Sequence, residues 1–296
     1  KGVISVERPD INNALMEKLA FQCSNVMGKT FNMASPFLDA ESAELRLNFV
    51  HDSIAKNGIA LLMRKTPAKI RLKKEKIIDT VYKLEDANTN YFHIDVMDGE
   101  FVENDTHDLM LEYCEYLDNI TKIPLDIHLM VKDVKNFVDS YLIFNPNIIT
   151  FHYEACKNKE EVMNLINYIK EKGRRVGISI KPETDVKEIL EFLPYVHVVL
   201  VMTVEPGKGG QELISSTIEK IKELNSYREE HKLDYEIEAD GGIKVENSKK
   251  IIDAGADILV AGTAIINSKD YAETIKKIKI NLWLIKIRGI FYIEPF

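Results

Sequence analysis

Between residues 91 and 261 seven short β-rich runs recur at fairly even intervals, at 91–96, 125–130, 148–152, 176–180, 197–202, 235–239 and 257–261. Each is followed by a polar loop and a helical pattern, as at 159–171, 186–192 and 214–227, where apolar residues return every three or four positions. Strand-like runs that alternate with helical stretches predict a parallel sheet covered by helices. An eighth run is read at 68–72, ahead of a helical 74–84. Eight such units between about positions 66 and 280 suit a (β/α)8 barrel, a fold that takes roughly 250 residues. An open doubly wound sheet is the alternative, but no Gly-rich GxGxxG turn follows an early strand. The expected class is therefore α/β, a TIM barrel over 66–280, with an N-terminal α+β appendage over 1–65 and an apolar C-terminal tail over 281–296.

Charge and cysteine usage narrow the setting. The chain has 47 acidic against 39 basic residues and a net charge of −8. That balance argues against a general nucleic-acid or anionic-membrane surface and leaves room for a local anion pocket. Cys23, Cys114 and Cys156 form neither a disulfide framework nor a CxxC pair. No apolar run reaches the ~20 residues of a membrane helix, and the N-terminus lacks the layout of a signal peptide. A cytoplasmic protein with no nucleic-acid or membrane partner is expected, and a homo-oligomer is compatible with this reading.

The polar residues inside the apolar runs carry the chemistry. Side chains at i and i+2 of a strand share a face, so His93, Asp95 and Met97 point one way, as do Asp126, His128 and Met130. Asp240 directly follows the run at 235–239, within Glu238-Ala239-Asp240-Gly241-Gly242. Buried charges must be paired or coordinated, at a cost of several kcal/mol (order of magnitude) if left bare. A divalent metal would partner two histidines and two aspartates together. These residues fall at or near strand C-terminal ends, where barrels of this kind keep their active sites. Glycines crowd the same ends: Gly207, Gly209 and Gly210 after the fifth of the seven runs, Gly241 and Gly242 after the sixth, and Gly262 with Thr263 after the last. Such loops let backbone N–H groups approach an anion closely, and a phosphate is the expected guest.

Taken in order, residues 93–99, 126–131, 150–155, 200–211, 238–242 and 260–265 resemble the ribulose-phosphate 3-epimerase family over about 66–280. The resemblance implies a (β/α)8 barrel that interconverts D-ribulose 5-phosphate and D-xylulose 5-phosphate in the pentose phosphate pathway. It implies one divalent metal per chain, zinc, iron, manganese or cobalt, bound by His93, Asp95, His128 and Asp240. It casts Asp95 and Asp240 as the two groups that remove and return the C3 proton through a metal-stabilised enediolate, and Met97, Met130 and Met202 as the apolar lining over the reacting carbons. A 3-epimerase for a six-carbon ketose phosphate such as D-allulose 6-phosphate would use the same ligands. His152 is read either as supporting the ligands or as a hydrogen-bonded core histidine, and Glu238 either as an orienting group or as half of a buried structural pair, whereas His107, His197 and His231 are expected to be structural or exposed.

Several positions depart from the family pattern. The first strand of the family carries a Pro-Ser whose serine reaches the substrate, and Pro67-Ala68 stands in its place with Lys69 and Arg71 following. Lys208 replaces a usual aromatic and Glu103 a usual proline. Residues 31–39, 45–52 and 60–71 look like a piece of a type II/IV secretion or pilus-assembly ATPase, but Cys23 stands where a P-loop ending at Thr30 needs glycine, so no nucleotide hydrolysis is expected. A fusion product with an impaired barrel, or a secretion-machinery component, is the rival reading. The tail at 282–292 is apolar and β-prone with no partner visible in the sequence.

Overall fold

The computed structural model describes residues 77–279 in full and, outside them, the backbone of 37–41, 45–50, 60–65, 68–76 and 288–292. The chain divides into two compact units, 1–78 and 79–296. The first contains an antiparallel sheet of β1 (Phe37–Glu41), β2 (Leu45–Val50) and β3 (Ala60–Lys65), ordered β1-β2-β3. The P-loop-like residues 23–30 lie outside the described residues.

The strand expected at 68–72 does not form. Those residues begin a helix, α1 (Ala68–Asp86). A barrel strand is apolar on both faces, and Lys69 and Arg71 would put charge on one of them. Ala, Leu, Lys, Arg and Glu are instead strong helix formers, and Ile77, Val81 and Leu84 recur at helical spacing and are buried.

The second unit is a closed ring of eight parallel strands in the order β10-β11-β4-β5-β6-β7-β8-β9. In chain order its elements are β4 (Tyr91–Met97), α2 (His107–Ile120), β5 (Leu125–Met130), α3 (Val134–Tyr141), β6 (Ile148–His152) and α4 (Lys159–Glu171). They continue with β7 (Arg175–Ile180), β8 (Val198–Met202), α5 (Thr217–His231), β9 (Glu236–Asp240), α6 (Val245–Asp253), β10 (Ile258–Val260), α7 (Thr263–Ile266), α8 (Tyr271–Lys279) and β11 (Arg288–Tyr292). Two short 3₁₀ turns, Val186–Glu188 and Leu190–Tyr195, replace the helix expected at 186–192. Pro194 has no N–H to continue a helical ladder there.

The tail has a partner after all. β11 pairs in parallel with β10 and with β4, and its Tyr292 stands opposite His93. The ring position expected of 68–72 is thus taken by a segment from the other end of the chain.

Inside the ring, Tyr91, Ile148, Val198, Ile258 and Val260 form an apolar cluster. Neighbouring strands approach closely above it. A Cβ on Gly177 would lie 2.2 Å from Thr150 Oγ1, so glycine is what lets β7 pair with β6 at the Thr150–Gly177 step. Among the described residues no helix is long and apolar enough to cross a membrane.

Candidate active site

Strand register assembles the site. His93 stands opposite Asp126, Asp95 opposite His128 and Met97 opposite Met130, so the polar runs of β4 and β5 form matched rows. Across the ring, β8 and β9 set Leu200 against Glu238 and Met202 against Asp240. The result places His93, Asp126 and Glu238 one row below Asp95, His128 and Asp240. Both rows are almost wholly shielded from solvent.

The backbone at each aspartate is pinned by a threonine. Thr106 Oγ1 donates to the Asp95 carbonyl at 2.8 Å and accepts from Met97 N at 3.0 Å. Thr203 Oγ1 donates to the Asp240 carbonyl at 2.8 Å. Asp98 organises the loop after β4, accepting from Glu100 N and Phe101 N at 2.8 Å each, and it ties that loop to β5 through Lys132 N at 2.6 Å.

One ligand atom from each of His93, Asp95, His128 and Asp240 can be chosen so that all lie within 4.8 Å of one another. His93 Nε2 is 3.2 Å from Asp95 Oδ1 and 3.9 Å from Asp240 Oδ2, while His128 Nδ1 is 2.9 Å from Asp95 Oδ1 and 3.7 Å from Asp240 Oδ2. His93 Nδ1 meets Asp126 Oδ2 at 2.7 Å. Asp126 accepts a hydrogen bond there, so Nε2 is the ring nitrogen that faces the other three groups. Two imidazole nitrogens and two carboxylates therefore converge, a donor set that suits a divalent cation of the zinc or iron type.

Proton affinities in the cluster reflect the same crowding. Burial would raise Asp95, yet hydrogen bonds from His128 and His93 hold it well below the usual carboxylate range. Burial and then the Asp95 charge push Asp240 up to about 6. Glu238 is raised well above its ordinary value by burial and by Asp126. Burial opposes a charge on His93, but Asp126 and Asp95 outweigh it and raise the histidine well above 6.5.

Above the cluster opens a small cavity. Asp95 and Asp240 form its floor, and Met97, Met130 and Met202, all nearly buried, form an apolar wall. Its rim holds every glycine singled out in the sequence: Gly207, Gly209 and Gly210, Gly241 and Gly242, and Gly262 beside Thr263. Gly242 has φ +66°, and a Cβ there would lie 2.6 Å from the backbone N of Leu213, so the rim has no room for a side chain at that point. The loop after β4 grips the Gly-rich loop, with Asn104 Nδ2 donating to the Gly207 carbonyl at 2.6 Å. The two departures at 103 and 208 face each other: Lys208 Nζ lies 3.3 Å from Glu103 Oε2, an exposed pair.

The remaining histidines divide as expected. His152 is fully buried, with Nε2 3.0 Å from His128 Nε2. His197 Nδ1 accepts from Val176 N, His107 packs on Phe137, and His231 stacks on Tyr227. Asp126 was not among the predicted site residues, although it shares strand parity with His128, and that parity was a sufficient signal. Glu154, which backs His152, sits in a 3₁₀ turn beyond β6 where no periodicity points to it.

Comparison with known proteins agrees with this geometry. The family model described as "Ribulose-phosphate 3 epimerase family" matches residues 67–266. The chain is 37% identical over 204 residues to the chloroplastic ribulose-5-phosphate-3-epimerase of Arabidopsis thaliana, covering 69% of this chain and 72% of the plant protein. It is 36% identical over 197 residues to the ribulose-phosphate 3-epimerase of Bacillus subtilis, covering 66% and 88%. It is 37% identical over 201 residues to that of Methanocaldococcus jannaschii, covering 68% and 83%. Among solved structures, a 3-hexulose-6-phosphate synthase overlays with a TM-score of 0.52 at 14% identity, covering 70% of this chain and 93% of that one, a likeness of fold alone.

Proposed function

The chain belongs to the ribulose-phosphate 3-epimerase family, and from that premise we propose that its barrel is a metal-dependent catalyst that epimerises D-ribulose 5-phosphate at C3 to D-xylulose 5-phosphate. The observation that carries the proposal is the convergence of His93, Asp95, His128 and Asp240 on the floor of a glycine-rimmed cavity.

His93 through Nε2, His128 through Nδ1 and the two aspartates would hold the cation. When bound, it supplies a Lewis acid for negative charge that develops on the substrate oxygens. The proton work belongs to the carboxylates. Asp95 and Asp240 are the two groups that remove and return the C3 proton. They come from β4 and β9, which are separated in the ring by β10 and β11, so they can flank a sugar seated between them. In the reverse reaction the roles exchange.

The methionine wall keeps water from the reacting carbons, which strengthens charge interactions inside the cavity. The backbone of the Gly207–Gly210, Gly241–Gly242 and Gly262–Thr263 segments would receive the phosphate. The Lys208 charge faces Glu103, and the phosphate reading therefore rests on backbone groups rather than on that lysine.

Solvent-deuterium exchange tests the reading. The zinc- or manganese-loaded chain should incorporate deuterium at C3 of D-ribulose 5-phosphate and form D-xylulose 5-phosphate, and a chelated sample should do neither. An intact, metal-bound chain that exchanges nothing with the pentulose would point to a six-carbon ketose phosphate instead.

A further inference from the structure

Behind His128 runs a chain of polar contacts that the reaction itself does not use. His128 Nε2 is 3.0 Å from His152 Nε2, and His152 Nδ1 is 3.1 Å from Glu154 Oε2. The other carboxylate oxygen of Glu154, Oε1, accepts from Lys181 N at 2.8 Å and from the Thr184 hydroxyl. The two imidazole rings are tilted by only 25° with centroids 5.0 Å apart, so their nitrogen edges meet.

We infer that Glu154, acting through His152, is a positioning pair that fixes a proton on His128 Nε2 and so leaves Nδ1 as the ring nitrogen that faces the metal site. The inference rests on the four-ligand reading above and adds residues that the ligand set does not contain.

The direction of the chain is set at its far end. A carboxylate that already accepts two donors on one oxygen can only accept on the other, so Glu154 Oε2 takes a hydrogen from His152 Nδ1. A neutral His152 with Nδ1–H has a lone pair on Nε2 and can only accept there. His128 must then donate from Nε2, and Nδ1 is left as the ring nitrogen that faces the site. Nδ1 hydrogen-bonds Asp95 Oδ1 at 2.9 Å and lies 3.7 Å from Asp240 Oδ2, where a cation would take the place of its hydrogen. On the opposite side of the site, Asp126 does for His93 in one step what His152 and Glu154 do for His128 in two. Partners of this kind fix the orientation and tautomer of a metal-binding histidine, and their loss costs about 10- to 100-fold in metal affinity.

The test reads tautomers directly. Long-range ¹H–¹⁵N spectra of the full chain, labelled with ¹⁵N-histidine and freed of metal, should show His152 protonated on Nδ1 and His128 protonated on Nε2. Nε2–H on His152 with a bare Nε2 on His128 overturns the inference. Zinc titration by calorimetry keeps the two readings separate. A parent chain that binds no stoichiometric zinc sinks the four-ligand reading, whereas zinc binding together with the reversed tautomers sinks only the positioning pair. Glu154→Gln preserves shape but presents an N–H at one of two places where hydrogens already point, and it should weaken zinc binding about 10- to 100-fold. Unchanged affinity in a folded Glu154→Gln chain counts against the inference, and the spectra of the parent decide the matter if that variant does not fold.

Discussion

At the scale of single residues, the site is a set of negative groups brought together more densely than burial tolerates. Asp95, Asp126, Glu238 and Asp240 all lie within electrostatic reach of His93, where a cation and protons compete for the same atoms. Two expectations follow from that competition. Asp240→Asn removes both a proton carrier and a ligand, and turnover should fall about 10²- to 10⁴-fold, measured as kcat with zinc content determined alongside. Turnover within a few-fold of the parent would remove Asp240 from the mechanism. The second concerns pH. The His93 proton must leave before Nε2 can bind a cation, and its affinity is raised well above 6.5. Zinc binding should therefore tighten as pH rises from 6 to 8, by up to about tenfold per unit for each proton displaced, and a flat profile by calorimetry would contradict it. The same raised affinity has the opposite sign for stability without metal. Protonated His93 contributes stability that is fully present below 6.5 and is lost as pH rises through its higher folded value.

At the scale of elements, the strands act as rulers and the loops as grips. The pairing of β4 with β5 places His93, Asp95 and Met97 beside Asp126, His128 and Met130, and no loop is needed to bring those six together. The strand step at Gly177 tests how tightly these rulers are packed. Gly177→Ala would drive a Cβ into Thr150 and should destabilise the barrel by about 1–3 kcal/mol. Thr150→Ala in the same chain should recover part of that loss, because Thr150 Oγ1 makes no hydrogen bond that its removal would break. Additive losses in the double variant, read from denaturant midpoints, would show that the two strands are not in this contact. On the rim, Gly242→Ala must shift the backbone around Leu213. It should raise KM for the sugar phosphate more than it lowers kcat, and the reverse split would place Gly242 outside the phosphate rim.

At the scale of the whole molecule, the ring is closed by the end of the chain. β11 fills the gap between β10 and β4, so every strand finds two neighbours only after residue 292 has docked. A chain ending at residue 280 would leave two open sheet edges beside His93. It should melt more than about 10 °C lower, since 1 kcal/mol is worth roughly 2–4 °C in a domain of this size, and should lose stoichiometric zinc. A truncated chain with the parent's melting point and zinc content would show that the ring does not need this strand. The sequence by itself determined the seven strands from β4 to β10, each placed within one residue of its position at both ends, and with them the meeting of His93, Asp95, His128 and Asp240. Side-chain parity and strand-end loops are local properties, legible in the residues that carry them. Tertiary structure alone decided that residues 288–292 complete the ring, because the partners of that strand are set by non-local pairing. It also decided the link from His128 through His152 to Glu154 and the split between Asp95 and Asp240. Hydrogen-bond direction and proton affinity depend on what burial places within 3 or 4 Å, and that is a property of the assembled barrel.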